Sequence, residues 1–103
     1  MSVSLRRMAM GAQLTCIDMD SLAQFEMGAK QGRADALYNL GLAYSTGQGV
    51  APDFIAAHKW FNLAALRGSD DAKSWRNQIA REMNSSQIAQ AQKLAREWLN
   101  IFK

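Results

Sequence analysis

The chain has 103 residues, 49% of them apolar and 20% charged, with a formal net charge of +3. That is one domain with apolar surface enough for a core of its own, far from the composition of a disordered chain. No window nears the roughly 18 consecutive apolar residues of a membrane-spanning helix, and a lone cysteine, Cys16, excludes an internal disulfide.

The opening stretch, MSVSLRRMAMGAQLTCIDMD, places two arginines before a mildly apolar run. The run is short, is broken by Gly11 and Gln13, and lacks a small-x-small cleavage pattern, so it does not read as a secretory signal. Gln13 and Thr15 also fit a lipoprotein anchor at Cys16 poorly. A cytoplasmic location is the resulting expectation, or a periplasmic one if a leader is missing from the sequence. Residues 1–19 are expected to form a degenerate or partly disordered N-terminal segment.

Next, SLAQFEMGAKQG predicts a helix with Leu22, Phe25 and Ala29 inward. ADALYNLGLAYSTG predicts another, with Ala36, Leu37, Leu40, Gly41, Ala43 and Tyr44 at helical spacing. Gly41 costs about 1 kcal/mol relative to alanine in mid-helix, and the usual reason for such a glycine is the close approach of another backbone. YSTGQGVAPD then holds a Gly-x-Gly and the only proline. A dinucleotide loop needs a preceding strand and a third glycine; here a helix precedes, and Pro52 occupies the third-glycine position. Gly47 instead reads as the helix stop, Gly49 as a second position needing backbone freedom, and Val50 as an apolar plug. Pro52 stiffens the approach to Asp53, which stands where the next helix needs its N-cap.

That helix, FIAAHKWFNLAALR, carries Ala57, Trp60, Phe61, Ala64 and Ala65 on one face and stops at Gly68. The two helices are expected to pack as a hairpin. Asp70 and Asp71 read as capping and charge-matching a further helix start, whose inward stripe is Ala72, Trp75, Ile79 and Met83. The last helix opens on a predicted capping box, Asn84 with Gln87, and carries Ile88, Ala91, Ala95, Trp98 and Phe102. Alternating strand patterns and Asn-Gly hairpins are missing, so the fold class is all-α.

Set against itself at an offset of 36 residues, the chain pairs Phe25 with Phe61, Ala29 with Ala65, Gly32 with Gly68 and Ala36 with Ala72. Weaker pairs, Met8 with Tyr44, Gly11 with Gly47 and Leu14 with Val50, extend it leftward. A period of this size marks stacked helix pairs, each too small to bury its own apolar face. The segment ALYNLGLAYSTGQGVAPDFIAAHKWFNLAALRGSDDA resembles a Sel-one-like repeat, a tetratricopeptide-related helix pair widespread in bacterial proteins. The matching residues are Ala36, Leu40, Gly41, Tyr44, Gly47, Gly49, Val50, Asp53, Ala57, Trp60, Ala64, Ala65, Gly68 and Ala72. The closing REMNSSQIAQAQKLAREW is similar to the terminal helix of short bacterial members.

The resemblance implies a short α/α superhelical repeat region over residues 20–83, with its best repeat at 36–71, and a C-terminal capping helix at 84–103. The following repeat has no Leu-Gly at Arg76–Asn77 and no Gly-x-Gly loop, so it turns directly into the terminal helix. One full repeat and two partial ones make a short stack against the about three units usually needed. Capping by the last helix and self-association into a homo-oligomer are two ways to supply the missing burial.

No catalytic constellation emerges. His58, the sole histidine, sits at the edge of its helix's buried stripe and reads as a surface or interface residue, with no second ligand for a metal. Ser45, Thr46, Ser85 and Ser86 belong to helix ends, and no G-x-S-x-G or Ser-His-Asp set is present. No cofactor is implied. Trp60, Trp75 and Trp98 could stack bases beside Arg76 and Arg96, but each falls on an apolar stripe and reads as core.

In related repeats the first helix of each pair lines the concave side. Carried over by helix position, the contact residues would be Asp35, Tyr38, Asn39, Leu42 and Ser45, and one period on Asp71, Ser74, Gln78 and Arg81. The competing reading packs Tyr38 and Leu42 against the preceding helix. The functional expectation is a non-enzymatic adaptor or scaffold that binds a protein or peptide partner on this face.

The alternative is nucleic-acid binding or regulation through the basic C-terminal third. From Ala72 onward Lys73, Arg76, Arg81, Lys93, Arg96 and Lys103 stand against Glu82 and Glu97, +4 against −1 for the rest. The plain account of that excess is a solvated helix face, so nucleic acid and membrane are not the expected partners.

Overall fold

The computed structural model describes residues 19–47 and 49–102. Among them are five helices and no strand: α1 (Met19–Lys30), α2 (Ala34–Thr46), α3 (Phe54–Leu66), α4 (Asp70–Ala80) and α5 (Ser85–Ile101). The fold is the all-α stack of helix hairpins that the periodicity predicts. Cys16 and the weak offset positions Met8, Gly11 and Leu14 lie outside the described residues.

The repeat is visible in hydrogen bonds. At the end of α1, Arg33 N–H donates to the Gly28 carbonyl at 3.1 Å and Gly32 N–H to Ala29 at 2.9 Å. At the end of α3, Ser69 N–H donates to Ala64 and Gly68 N–H to Ala65, both at 3.0 Å. Each donor and acceptor of the second set lies 36 residues beyond its counterpart in the first. This is one Schellman closure built twice, and it needs a left-handed residue at Gly32 (φ +78°) and Gly68 (φ +101°).

Local rules place the other ends. Asp53 caps α3, its Oδ1 accepting from Ile55 N at 3.0 Å and Ala56 N at 3.1 Å, worth about 1 kcal/mol. Asn84 and Gln87 form the capping box of α5 at 2.8 and 2.9 Å. The cap of α4 differs from the expectation. Ser69 accepts from Ala72 N at 3.1 Å, while Asp70 and Asp71 occupy the first turn, where the helix dipole favours their charge.

The core gathers around α3, which packs against α2, α4 and α5, while α1 packs on α2. Phe61, Leu37, Leu40 and Leu63 are its largest fully buried side chains. Gly41 is explained by a ring rather than a backbone: a Cβ there would lie 2.5 Å from two atoms of Phe61. The last helix lies along α3 instead of pairing with α4. Trp98 meets Trp60 edge-on at 4.8 Å between centroids, and Phe102 tilts on Trp98 at 4.2 Å. Two further corrections bear on function. Trp75, expected in the core, is 38% exposed, and His58, expected at an edge, is 4% exposed.

Candidate partner-binding face

Helices α2 and α4 are the first helices of successive hairpins, and Phe61 of α3 lies between them. Tyr38 of α2 tilts on Phe61 at 5.9 Å and 51°, and Trp75 of α4 stacks on it at 6.3 Å and 14°. Because Phe61 is fully buried, it acts as a floor that fixes both outer rings. The result is an aromatic run across three helices, closed beneath and open at Trp75. Rigid rings with one free face offer large contact area at little conformational cost.

The residues expected to make contact divide into three groups. Ser74 and Gln78 are exposed on α4 with Trp75, and Asn39 is half-buried on α2 beside Tyr38. Leu42 is buried at 8% and belongs to the core, whereas Tyr38 is half-buried and packed against it. The half-buried Ser45 turns its hydroxyl onto the Leu42 carbonyl at 3.1 Å. Asp35 pairs with Arg33 at 3.3 Å and lines a separate cleft of about 170 Å³ with Gln24, Phe25, Gly28 and Ala36, between α1 and α2. Asp71 and Arg81 are exposed at the two ends of α4. Trp75 was missed because its stripe reads as core. The 36-residue offset that pairs Tyr38 with Ser74 also pairs Asn39 with Trp75, and that signal could have found it.

Two polar features flank this face. Arg76 Nη1 donates to Asn62 Oδ1 at 2.8 Å, tying α4 to α3. On α3, the Lys59 ammonium lies 4.0 Å from the centroid of Trp60 and 5.6 Å from that of Trp98. Burial lowers the pKa of Lys59, against the opposing pull of Asp53 and Glu26. Trp60 and Trp98 are thus engaged with each other and with Lys59, which leaves Trp75 as the tryptophan open to a ligand. Among the described residues no group of three or more His, Cys, Asp and Glu is placed to hold a metal. None of their helices is long and apolar enough to cross a membrane.

Comparison with curated proteins returns no match. The family model of the Sel1 repeat matches residues 34–69, which run from the first residue of α2 to the cap of α4. Sel1 repeats are generally protein–protein interaction modules. The matched span holds the α2–α3 hairpin, its Gly-x-Gly turn and the second Schellman closure, and residues 34–69 of the chain are similar to one Sel1 repeat.

Proposed function

We propose that this chain is a non-enzymatic scaffold that binds a protein or peptide partner across the face shared by α2 and α4. The observation that carries the reading is Trp75, stacked on a buried floor yet 38% exposed. A large aromatic held rigid with one face open is the usual anchor of an interface. Asn39, Ser74 and Gln78 beside it supply amides and a hydroxyl for the backbone of an extended partner.

The test is a peptide-display selection against the whole chain, followed by affinity measurement on Trp75→Ala and Gln78→Ala. Binding that falls at least about tenfold in Trp75→Ala, in a protein with unchanged helical circular dichroism, supports the face. Selected peptides that bind wild type and Trp75→Ala alike would place the site elsewhere. If the ligand is instead a mixed DNA or RNA, held by the exposed Lys73, Arg81, Lys93 and Arg96, affinity would fall log-linearly with salt. Molar mass in solution reads the remaining expectation, self-association.

A further inference from the structure

The Nδ1 of His58 is the one buried side-chain polar atom among the described residues without a hydrogen-bond partner. The ring is 4% exposed, so no water surface is at hand to solvate a charge. A buried imidazolium needs a carboxylate beside it. Among the described residues the charged group acting on His58 is instead Arg76 of α4, and neither α2 nor α5, the other helices packed on α3, contributes one. The carboxylates of Asp53, the cap of α3, and Glu26 of α1 act on Lys59 and Tyr44. Burial first, and Arg76 second, lower the pKa of His58 from the ordinary 6.5, against a smaller upward pull from its own backbone.

Position gives this charge penalty a target. Arg76 is bonded to Asn62, one helical turn beyond His58, and its neighbour Trp75 stacks on Phe61. The polar tie and the ring stack both hold α4 on α3. We propose that His58 is an acid-sensitive joint, which on gaining a proton loosens α4 from α3 and dismantles the Trp75 half of the binding face. The loosening stands on the burial of His58, its unpartnered Nδ1 and the α3–α4 contacts beside it; its consequence for a partner rests on the proposed function.

The direction follows from linkage. In the opened chain the ring takes a proton near pH 6.5, and in the closed one only at lower pH. Closure is therefore fully favoured above about pH 6.5 and weakens as pH falls. Between pH 7.5 and 5 the opening equilibrium shifts by up to about 30-fold, the limit for a ring that takes no proton while closed.

The chain has one histidine, so its imidazole Cε1–H resonance is unambiguous. The experiment follows that resonance, and the hydrogen exchange of α4 amides corrected for intrinsic rate, from pH 7.5 to 5 in wild type and His58→Phe. The expected result is a midpoint below 6.5, with α4 opening that rises at low pH in wild type and not in the variant. A midpoint at or above 6.5, or equal α4 opening in both proteins, overturns the proposal. If His58→Phe does not fold, the wild-type titration decides, because α4 protection that stays level through the histidine midpoint overturns it equally. Neither readout needs a partner, so their failure is distinct from failure of the binding face.

Discussion

Replacing Gly41 by alanine separates two opposed effects whose sum the structure decides. Alanine in mid-helix is favoured over glycine by about 1 kcal/mol, so propensity alone predicts a more stable protein. A Cβ at this position, however, would lie 2.5 Å from Cδ1 and Cε1 of Phe61 and 2.9 Å from its Cγ. Phe61 is fully buried and packed against the rings of both Tyr38 and Trp75, so the ring has little open space into which it can swing. Overpacking of this kind costs roughly 1–3 kcal/mol. The two together predict a net loss of about 1 kcal/mol, or roughly 4–8 °C in melting temperature for a chain of this size. Urea unfolding followed by circular dichroism measures it. The companion Gly41→Ala/Phe61→Leu should lose less than the sum of its singles, since the smaller side chain removes the clash. A Gly41→Ala protein more stable than wild type, or strictly additive singles, would refute the close approach of α2 to Phe61.

Three further outcomes test the rest of the frame. Gly68→Ala meets nothing within 4 Å but forces alanine to φ +101°, and Gly32→Ala meets only the movable guanidinium of Arg67 at φ +78°. Both should cost about 1–2 kcal/mol from backbone strain, and urea midpoints that differ widely between them would break the equivalence of the two joints. Asn84→Ala removes the capping-box oxygen of α5 and should cost about 1 kcal/mol, read by the same unfolding assay. Trp98→Ala takes away the contacts with Trp60 and Phe102 and should cost about 2–4 kcal/mol. Limited proteolysis should then cut α5 before the α2–α3 hairpin.

Much of the fold was legible because helix ends obey local rules. Asp53, the Asn84–Gln87 pair and the 36-residue spacing of Gly32 and Gly68 each name a hydrogen bond made within a few residues, and those bonds are present. The exposure of the proposed face was legible only in part. Helix position put Ser74 and Gln78 on an open side, and they are exposed, yet Leu42 went into the core and Trp75 stayed out of it.

What the sequence determined by itself is therefore the set of helices, their caps and the period that relates them. Tertiary structure decided which faces were covered. Trp75 lies on the apolar stripe of α4 but remains partly open, because α5 packs along α3 and, among the described residues, leaves α4 without a second closely packed helix. His58 lies off the stripe of α3 but is buried, because that helix has neighbours on three sides and keeps almost no solvent face. Periodicity tells which side chains share a face of a helix; only the arrival of a neighbouring helix determines whether that face meets protein or water.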